Sequence, residues 1–196
     1  VLSYQILDSD RTGVEVQVFN KNNMPINDPF MVNSNENGKQ GDHGLIVFPL
    51  ENGNFAAVYK SGGGSSPGID GIYGGVAMQI FDITGNKIGS EKTVNEHISG
   101  EEELVTAGLS SSGDEVVVYR NSQAYNQTST DMDSHGLAVF DKNGDPLFTS
   151  EIILPLGISE ARFVDLDNDE FGFFVYYGSD ANYRDEFGVM HAKSPE

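Results

Sequence analysis

The sequence has no cysteine and no tryptophan, and only 11 of its 196 residues are lysine or arginine. Without cysteine the chain can form neither a disulfide framework nor a thiolate metal site. No apolar run approaches the length of a membrane-spanning helix, so membrane insertion is not expected. The few basic residues are spread along the chain, which leaves no basic patch for nucleic acid or an anionic lipid surface.

Acidic residues dominate the charge of the chain. The 30 Asp and Glu residues give a formal net charge of −19. Such an excess favours solubility, cation binding or a saline environment, and most of it is expected on a solvated surface. Hydrophobic residues make up 38% of the sequence, and its 23 glycines are typical of a turn-rich all-β protein.

A strand that ends on phenylalanine and runs into a tight turn occurs three times. The phenylalanines are Phe19, Phe81 and Phe140, spaced by 62 residues (19 to 81) and by 59 residues (81 to 140). One aligned position of each turn holds a residue that tolerates the left-handed backbone region; these residues are Asn23, Gly85 and Gly144. A regular spacing of this kind indicates one supersecondary unit repeated along the chain.

Each unit divides into four short strands of alternating apolar residues, with turn-forming residues between them. We take residues 13–74, 75–134 and 135–187 as the three units. In the second, clearest unit the predicted strands are Val76–Phe81, Lys92–Asn95, Leu104–Leu109 and Glu115–Arg120. In the first they are Val14–Phe19, Phe30–Asn33, Leu45–Leu50 and Phe55–Tyr59, and in the third Leu137–Phe140, Glu151–Leu154, Ala161–Leu166 and Phe171–Tyr177. We therefore predict an all-β fold of repeated four-stranded antiparallel meanders, similar to β-propeller blades.

Two segments at the ends of the sequence fall outside whole units. Residues 1–12, with Val1–Leu7, are expected to form an orphan last strand and loop of a preceding unit. Residues 188–196, with Gly188–Ala192, are expected to form the first strand of a further unit. Unpaired strand edges favour pairing with another chain. We therefore expect the repeat to continue beyond this sequence, through covalent extension or a neighbouring copy.

The stretch from Phe55 to Asn95 combines several short elements: Gly71-Ile72-Tyr73-Gly74, Gln79-Ile80-Phe81-Asp82, Gly85-Asn86-Lys87-Ile88-Gly89-Ser90-Glu91 and Val94-Asn95. In this order they resemble repeats of large secreted or surface proteins of the calcium-associated adhesin type. The resemblance is good over the second unit and degenerate over the other two, and the third lacks the Gln before the Phe and the Gly-x-Glu element. The resemblance implies propeller-like sheets, a surface location and residues with structural roles.

An acidic cluster is the first candidate for binding chemistry. Asp165, Asp167 and Asp169 alternate in the manner of calcium-binding loops, where hard oxygens at every second position converge on one ion. The other units have ordinary hairpin turns at the same place, and the cluster lacks the glycine and the distal glutamate of an EF-hand. Both a calcium site and a solvated turn therefore stay open.

Long connections between the units offer a second candidate. Each carries one tyrosine beside polar residues, namely Tyr73, Tyr125 and Tyr183. Such loops in a compact fold are usually functional or disordered, and the tyrosines would either stack on sugar rings or cap the neighbouring blade. Asn126 begins the glycosylation sequon Asn126-Gln127-Thr128.

No catalytic residue is predicted. The four histidines form no pair with metal-ligand spacing, and Gly64-Ser65-Ser66-Pro67-Gly68 matches a nucleophile elbow only in a loop without a following helix. We therefore do not expect an enzyme.

These observations predict an extracellular or cell-surface structural and adhesive module. It would assemble through exposed sheet edges into a larger array or filament, with neighbouring copies as partners. The alternative is a carbohydrate- or calcium-binding adhesion module that acts through the interblade loops, with glycans as partners. No cofactor is required for the first function, and calcium is the only one considered for the second. Neither function involves nucleic acid.

Overall fold

A computed structural model describes residues 2–6, 13–34, 40–62, 74–94, 101–110, 115–123, 134–152, 158–166, 170–177 and 186–193. These ranges contain fourteen β-strands and no helix, which confirms the predicted all-β class. The strands are β1 (Leu2–Ile6), β2 (Gly13–Gln17), β3 (Phe30–Met31), β4 (Gln40–Pro49), β5 (Phe55–Ser61), β6 (Gly75–Phe81), β7 (Lys87–Thr93), β8 (Glu101–Leu109), β9 (Glu115–Gln123), β10 (Ser134–Asp141), β11 (Pro146–Ile152), β12 (Ile158–Leu166), β13 (Glu170–Tyr177) and β14 (Glu186–Lys193). Within these ranges nothing forms a helix capable of crossing a membrane.

The strands form four antiparallel sheets, and consecutive strands are neighbours in each. Sheet 1 has the order β1-β2-β3, and sheet 2 the order β4-β5-β6-β7. Sheet 3 contains β8, β9, β10 and β11 in sequence, and sheet 4 has the order β12-β13-β14. Counted over the described ranges, two sheets therefore have four strands and two have three.

The grouping of strands into sheets differs from the predicted meanders. The first unit, residues 13–74, contributes β2 and β3 to sheet 1 but β4 and β5 to sheet 2, and the same offset recurs in the other units. The long connection after β5, expected to separate two units, instead joins paired strands, with Phe55 opposite Phe81. The cost of closing a loop grows only slowly with its length, so the pairing of two apolar strands outweighs it. The assumed pairing was wrong, whereas the repeat boundaries stay a prediction.

The terminal strands each pair with the strand next to them in the chain, while their assignment to incomplete units stays a prediction. β1 runs antiparallel to β2, from Leu2 opposite Gln17 to Ile6 opposite Gly13. β14 pairs with β13 over its whole length. Because sheet pairing satisfies backbone donors and acceptors, each terminal strand is stabilised along one edge. Both strands nevertheless stand at the end of a sheet order.

Sheet 2 is buried on both faces, because all residues of β5 and β6 are buried. Successive side chains of a strand point to opposite faces, so each of these strands contributes to two cores. The core between sheets 1 and 2 contains Val14, Val16, Val18, Val32, Phe55, Ala57, Tyr59, Ala77 and Phe81. The core between sheets 2 and 3 contains Ala56, Val58, Met78, Ile80, Val118, Ala138 and Phe140, among others. Sheet 2 therefore lies between sheet 1 and sheet 3.

The first strands of successive sheets lie close together. β4 contacts β8, and β8 in turn contacts β12 of sheet 4. β4 also contacts β1 and β2 of sheet 1. The sheets thus follow one another in sequence order, each packed on the one before it.

Candidate functional site

Three tight turns share one set of hydrogen bonds. The first residue of each turn is Asn20, Asp82 or Asp141, and its Oδ1 accepts hydrogen bonds from the backbone N–H groups two and four residues later. The six donor–acceptor distances lie between 2.8 and 3.1 Å. An Asx side chain in this role satisfies donors that a tight turn would otherwise expose. The turn geometry therefore repeats along the chain.

The fourth residue of each turn has a positive φ, as predicted from the sequence. The angles are 58° at Asn23, 91° at Gly85 and 83° at Gly144. A turn of this shape between antiparallel strands requires one residue in the left-handed region, which glycine and asparagine adopt with the least strain. The prediction that this position requires such a residue is confirmed.

A fourth turn, Leu50–Asn54, has the same backbone hydrogen bonds without an Asx residue at its start. Its Gly53 has φ 85°, and the N–H of Leu50 donates to the carbonyl of Asn54 at 2.9 Å. A leucine at the first position therefore suffices for the turn itself. The Asx residue at the other three turns adds side-chain bonds to the same backbone.

The turn between β6 and β7 of sheet 2 packs against sheet 1. Gly85 lies against the ring of Phe30, which also contacts Phe81 with ring centroids 5.3 Å apart. Asn27 joins the two sheets, because its Nδ2 donates to the carbonyl of Thr84 at 3.0 Å and its Oδ1 accepts from the N–H of Val18 at 3.1 Å. The turn thus contributes directly to the contact between the sheets.

The turn between β10 and β11 of sheet 3 packs against sheet 2 in the same way. A β-carbon placed on Gly144 would lie 3.2 Å from Cδ1 of Ile80 and 3.6 Å from Cε of Met78. Beside this contact, Nζ of Lys92 lies 3.3 Å from Oδ1 of Asp145. The same position of two turns therefore packs on the preceding sheet.

Exposed hydrogen bonds join sheets 1 and 2 near the end of β3. The backbone N–H of Ser34 donates to Oε2 of Glu91, and Nζ of Lys87 donates to Oγ of Ser34, both at 2.7 Å. Partial burial lowers the pKa of Lys87, an effect that the negative charge of Glu91 opposes. These bonds connect the outer strand of sheet 2 to the segment after the outer strand of sheet 1.

Tyr59 is a buried phenol at the same interface. Burial raises the pKa of its hydroxyl strongly, and the negative charge of Glu91 raises it further. In the described part of the chain the hydroxyl has no hydrogen-bond partner, since its approach to Glu91 does not reach hydrogen-bond geometry. A buried polar atom without a partner costs free energy, so this hydroxyl does not stabilise the fold.

Gln79 fills an irregularity in the pairing of β6 with β7, where the register shifts between Met78 and Ile80. Its Nε2 donates to the carbonyls of Ile80 at 2.9 Å and Ile88 at 3.1 Å. Its Oε1 is buried without a partner among the described residues. Gln79 therefore bonds to backbone carbonyls of both strands at this irregularity.

Most of the residues predicted for binding lie outside the described ranges: Tyr73, Tyr125, Tyr183, Asn126, Asp167 and Asp169. Asp165 lies on β12, opposite Phe171 of β13. These two strands are paired up to Leu166 opposite Glu170, and residues 167–169 lie between them in the sequence. The glycan, glycosylation and calcium sites accordingly stay predictions. Within the ranges given above, no group of three or more His, Cys, Asp or Glu side chains is placed to hold a metal ion.

Comparison with known proteins gives no relative: no family model, no curated protein and no solved structure matches the chain.

Sequence reasoning missed the roles of several residues in the contacts between sheets. Asn20, Asp82 and Asp141 each stand three residues before the aligned left-handed position, so an Asx residue at this spacing is the signal that identifies them. Glu91 follows Gly89 by two residues, and nothing in its local sequence indicates a partner as distant as Ser34. Long-range hydrogen bonds of this kind depend on the packing of sheets.

Proposed function

We propose that the chain is an extracellular structural and adhesive module, built of successive propeller-like blades, that assembles through exposed sheet edges into a larger array or filament. The observation that carries this proposal is the packing of successive antiparallel sheets on one another in sequence order. Among the described residues, β1 and β14 each pair with a single strand.

What supports the blade-like arrangement is the repetition of one packing scheme. The first strands β4, β8 and β12 contact one another in succession. The turns at Gly85 and Gly144 each pack on the preceding sheet. Face-to-face stacking of sheets in sequence order, with a first strand near its counterparts, is also found between the blades of propellers, and this likeness supports the proposal.

Comparison of sheet 1 with sheet 2 shows which of their strands correspond. β2 leads into the turn at Asn20 as β6 leads into the turn at Asp82, so β1 corresponds to β5. In sheet 2 the neighbour of β5 on its other edge is β4, and β1 has no such neighbour among the described residues. The backbone groups of an edge strand can pair with an extended segment of another chain.

The role is structural rather than catalytic. The polar side chains of the turns are engaged in bonds to the backbone, and Glu91 and Lys87 bond between sheets. The net charge of −19 opposes non-specific association, so association would depend on directed strand pairing. The extracellular location rests on the resemblance of residues 55–95 to repeats of surface proteins.

Light scattering after size exclusion, together with electron microscopy, tests the proposal over a range of protein concentrations. We expect association that grows with concentration, accompanied by slower amide hydrogen exchange in β1 or β14. Met24→Asp is the matched control, because Met24 is 60% exposed and its replacement would weaken association through apolar side chains but not through strand edges. A chain that stays monomeric throughout contradicts the proposal.

A further inference from the structure

Two turns of the described chain carry an Asn-Gly pair at the same place. Asn52-Gly53 lies between β4 and β5, and Asn143-Gly144 lies between β10 and β11. In each turn the glycine has a positive φ, 85° or 83°, and its N–H donates to the carbonyl three residues before it. The two pairs therefore match in backbone and in local sequence, and a difference in their chemistry has to come from their surroundings.

An asparagine that precedes a glycine can lose its side-chain amide by an intramolecular reaction. The glycine backbone nitrogen forms a bond to Cγ of the asparagine, the bond from Cγ to Nδ2 breaks, and ammonia leaves with the proton of the glycine N–H. One water then opens the resulting succinimide ring at either carbonyl, which gives aspartate or isoaspartate. Glycine favours the ring closure because no side chain restricts its backbone.

The two glycines differ in how closely the rest of the molecule packs on them. Gly53 is exposed, and a β-carbon placed on it would meet nothing within 4 Å. Gly144 is buried, and a β-carbon placed on it would lie 3.2 Å from Cδ1 of Ile80. Ring closure consumes the glycine N–H and so breaks the turn hydrogen bond in both turns. At Gly144 the accompanying movement also disturbs the packing on Ile80, whereas at Gly53 it meets no such contact.

The two side-chain amides differ in the charges beside them. Oδ1 of Asn52 accepts a hydrogen bond from the backbone N–H of Asn54 at 3.0 Å. Nδ2 of Asn143 instead donates to Oδ2 of Asp141 at 3.2 Å. Attack on Cγ places negative charge on Oδ1, which an N–H donor stabilises and a neighbouring carboxylate opposes. The residue that corresponds to Asp141 in the first turn is Leu50, which carries no charge.

We infer that Asn52 is a deamidation site of the folded chain and that Asn143 is protected by its surroundings. The product has a new negative charge at position 52, and isoaspartate also adds a methylene group to the backbone of the turn. Buried Leu50 begins this turn, and buried Phe55 follows it as the first residue of β5. Since every residue of β5 is buried, the lengthened turn should loosen the start of this strand.

Incubation of the intact chain in warm, mildly alkaline buffer tests the inference, with peptide mapping by mass spectrometry to measure deamidation at each asparagine. We expect Asn52 to react at least about tenfold faster than Asn143, since one donor to a developing oxyanion can change a rate by about a hundredfold. In urea that unfolds the chain the two rates should become similar. Absence of reaction at Asn52, or a rate at Asn143 that equals or exceeds it in the folded chain, overturns the inference. The third Asn-Gly pair, Asn37-Gly38, lies outside the described ranges, and mapping separates it by position.

A substitution at Asp141 tests the protection of Asn143. Asp141→Asn keeps an Oδ1 acceptor at the start of the turn, as Asn20 does, but removes the charge beside Asn143. It should therefore raise the rate at Asn143 several-fold. Glu51→Gln is the matched control, because it removes an exposed carboxylate from the other turn and should leave the rate at Asn143 unchanged. A rate that does not respond to Asp141→Asn contradicts the assigned protection.

A substitution at Asn52 tests the effect of the modification on the fold. Asn52→Gln should prevent the reaction, since the longer side chain would have to close a larger and less favourable ring. After incubation the unsubstituted chain should be less stable to urea than fresh protein, and amide hydrogen exchange should be faster at Phe55 and Ala56. The incubated Asn52→Gln variant should show neither change. Equal loss of stability in both chains would overturn the link between position 52 and β5.

Discussion

A β-carbon on Gly85 would lie 2.6 Å from Cε1 of Phe30, a separation that carbon atoms without a bond between them do not reach. The turn between β6 and β7 is therefore in direct contact with an aromatic ring of the neighbouring sheet. Phe30 is fixed in turn by Phe81 and Phe55, whose rings stack with centroids 5.3 Å apart. Glycine at position 85 is required both by its φ and by this contact.

Gly85→Ala should destabilise the fold more than Gly53→Ala. Both glycines have a positive φ, 91° and 85°, but a β-carbon on Gly53 would meet nothing within 4 Å. Gly53→Ala should cost about 1 kcal/mol of unfolding free energy for the strained backbone alone. Gly85→Ala adds overpacking against Phe30, for a total of about 2–4 kcal/mol. Urea unfolding measures the loss of stability in both variants. Equal losses would contradict the packing of the turn against Phe30.

The Asp82 carboxylate should give the fold an acid-sensitive component. Hydrogen bonds from the side chains of Thr84 and Asn86 lower its pKa from 3.8 to about 2. Because the folded-state pKa lies below the unfolded one, the stabilisation is complete above pH 3.8 and is lost as the pH falls towards 2. NMR titration of the carboxyl carbon should give the lowered pKa. Asp82→Asn, which keeps an acceptor as Asn20 does, should weaken the dependence of stability on pH in this range. A titration midpoint at the ordinary aspartate pKa of 3.8 would contradict the hydrogen bonds from Thr84 and Asn86.

Tyr59→Phe should leave the stability unchanged or raise it by about 1 kcal/mol. The substitution removes a buried hydroxyl that has no partner in the described part of the chain and keeps the ring that packs between sheets 1 and 2. Unfolding in urea at neutral pH measures the change. A loss above about 1 kcal/mol would instead indicate a hydrogen bond from the hydroxyl to Glu91 in solution.

Between sheets 2 and 3, the apolar contacts of Met78 should stabilise the fold more than the ion pair of Lys92 with Asp145. The Lys92 and Asp145 side chains are 30% and 69% exposed, so Lys92→Ala should cost less than about 1 kcal/mol, and less still in high salt. Met78→Ala should cost about 2–5 kcal/mol, because Met78 is fully buried in the core that these sheets share. The ratio of the two losses in thermal or urea unfolding checks the assignment. Similar losses would show that the pair contributes far more than an exposed pair should.

Local sequence predicted the strands and the turns well. The predicted strands Val76–Phe81 and Phe171–Tyr177 differ by one residue at their starts from β6 and β13. Asn23, Gly85 and Gly144 were identified from their aligned positions alone, because a left-handed backbone restricts the residue type directly. The strand predicted at Lys92–Asn95 instead begins at Lys87, since the irregular pairing opposite Gln79 disrupts the alternation there.

Pairing between distant strands could not be predicted from local pattern. β5 and β6 are separated in the chain by residues 62–74, and nothing in the sequence of that segment indicates that the two strands pair. The contacts of Ser34 with Glu91 and of Asn27 with Thr84 depend likewise on how sheets stack. The residues predicted for binding, such as Tyr73 and Asp167, are outside the described ranges, and their binding roles stay predictions.

The burial of β5 and β6 on both faces has a consequence for cooperativity. Phe55 and Phe81 face one core, while Met78 and Ile80 face the other, so the two cores are separated by a single layer of backbone. Loss of packing on one side therefore removes support from the other side as well. In the nearest-neighbour description used for repeat proteins, the coupling energy between adjacent layers passes through this central pair of strands. Partial unfolding should consequently begin at the outer layers and reach β5 and β6 last.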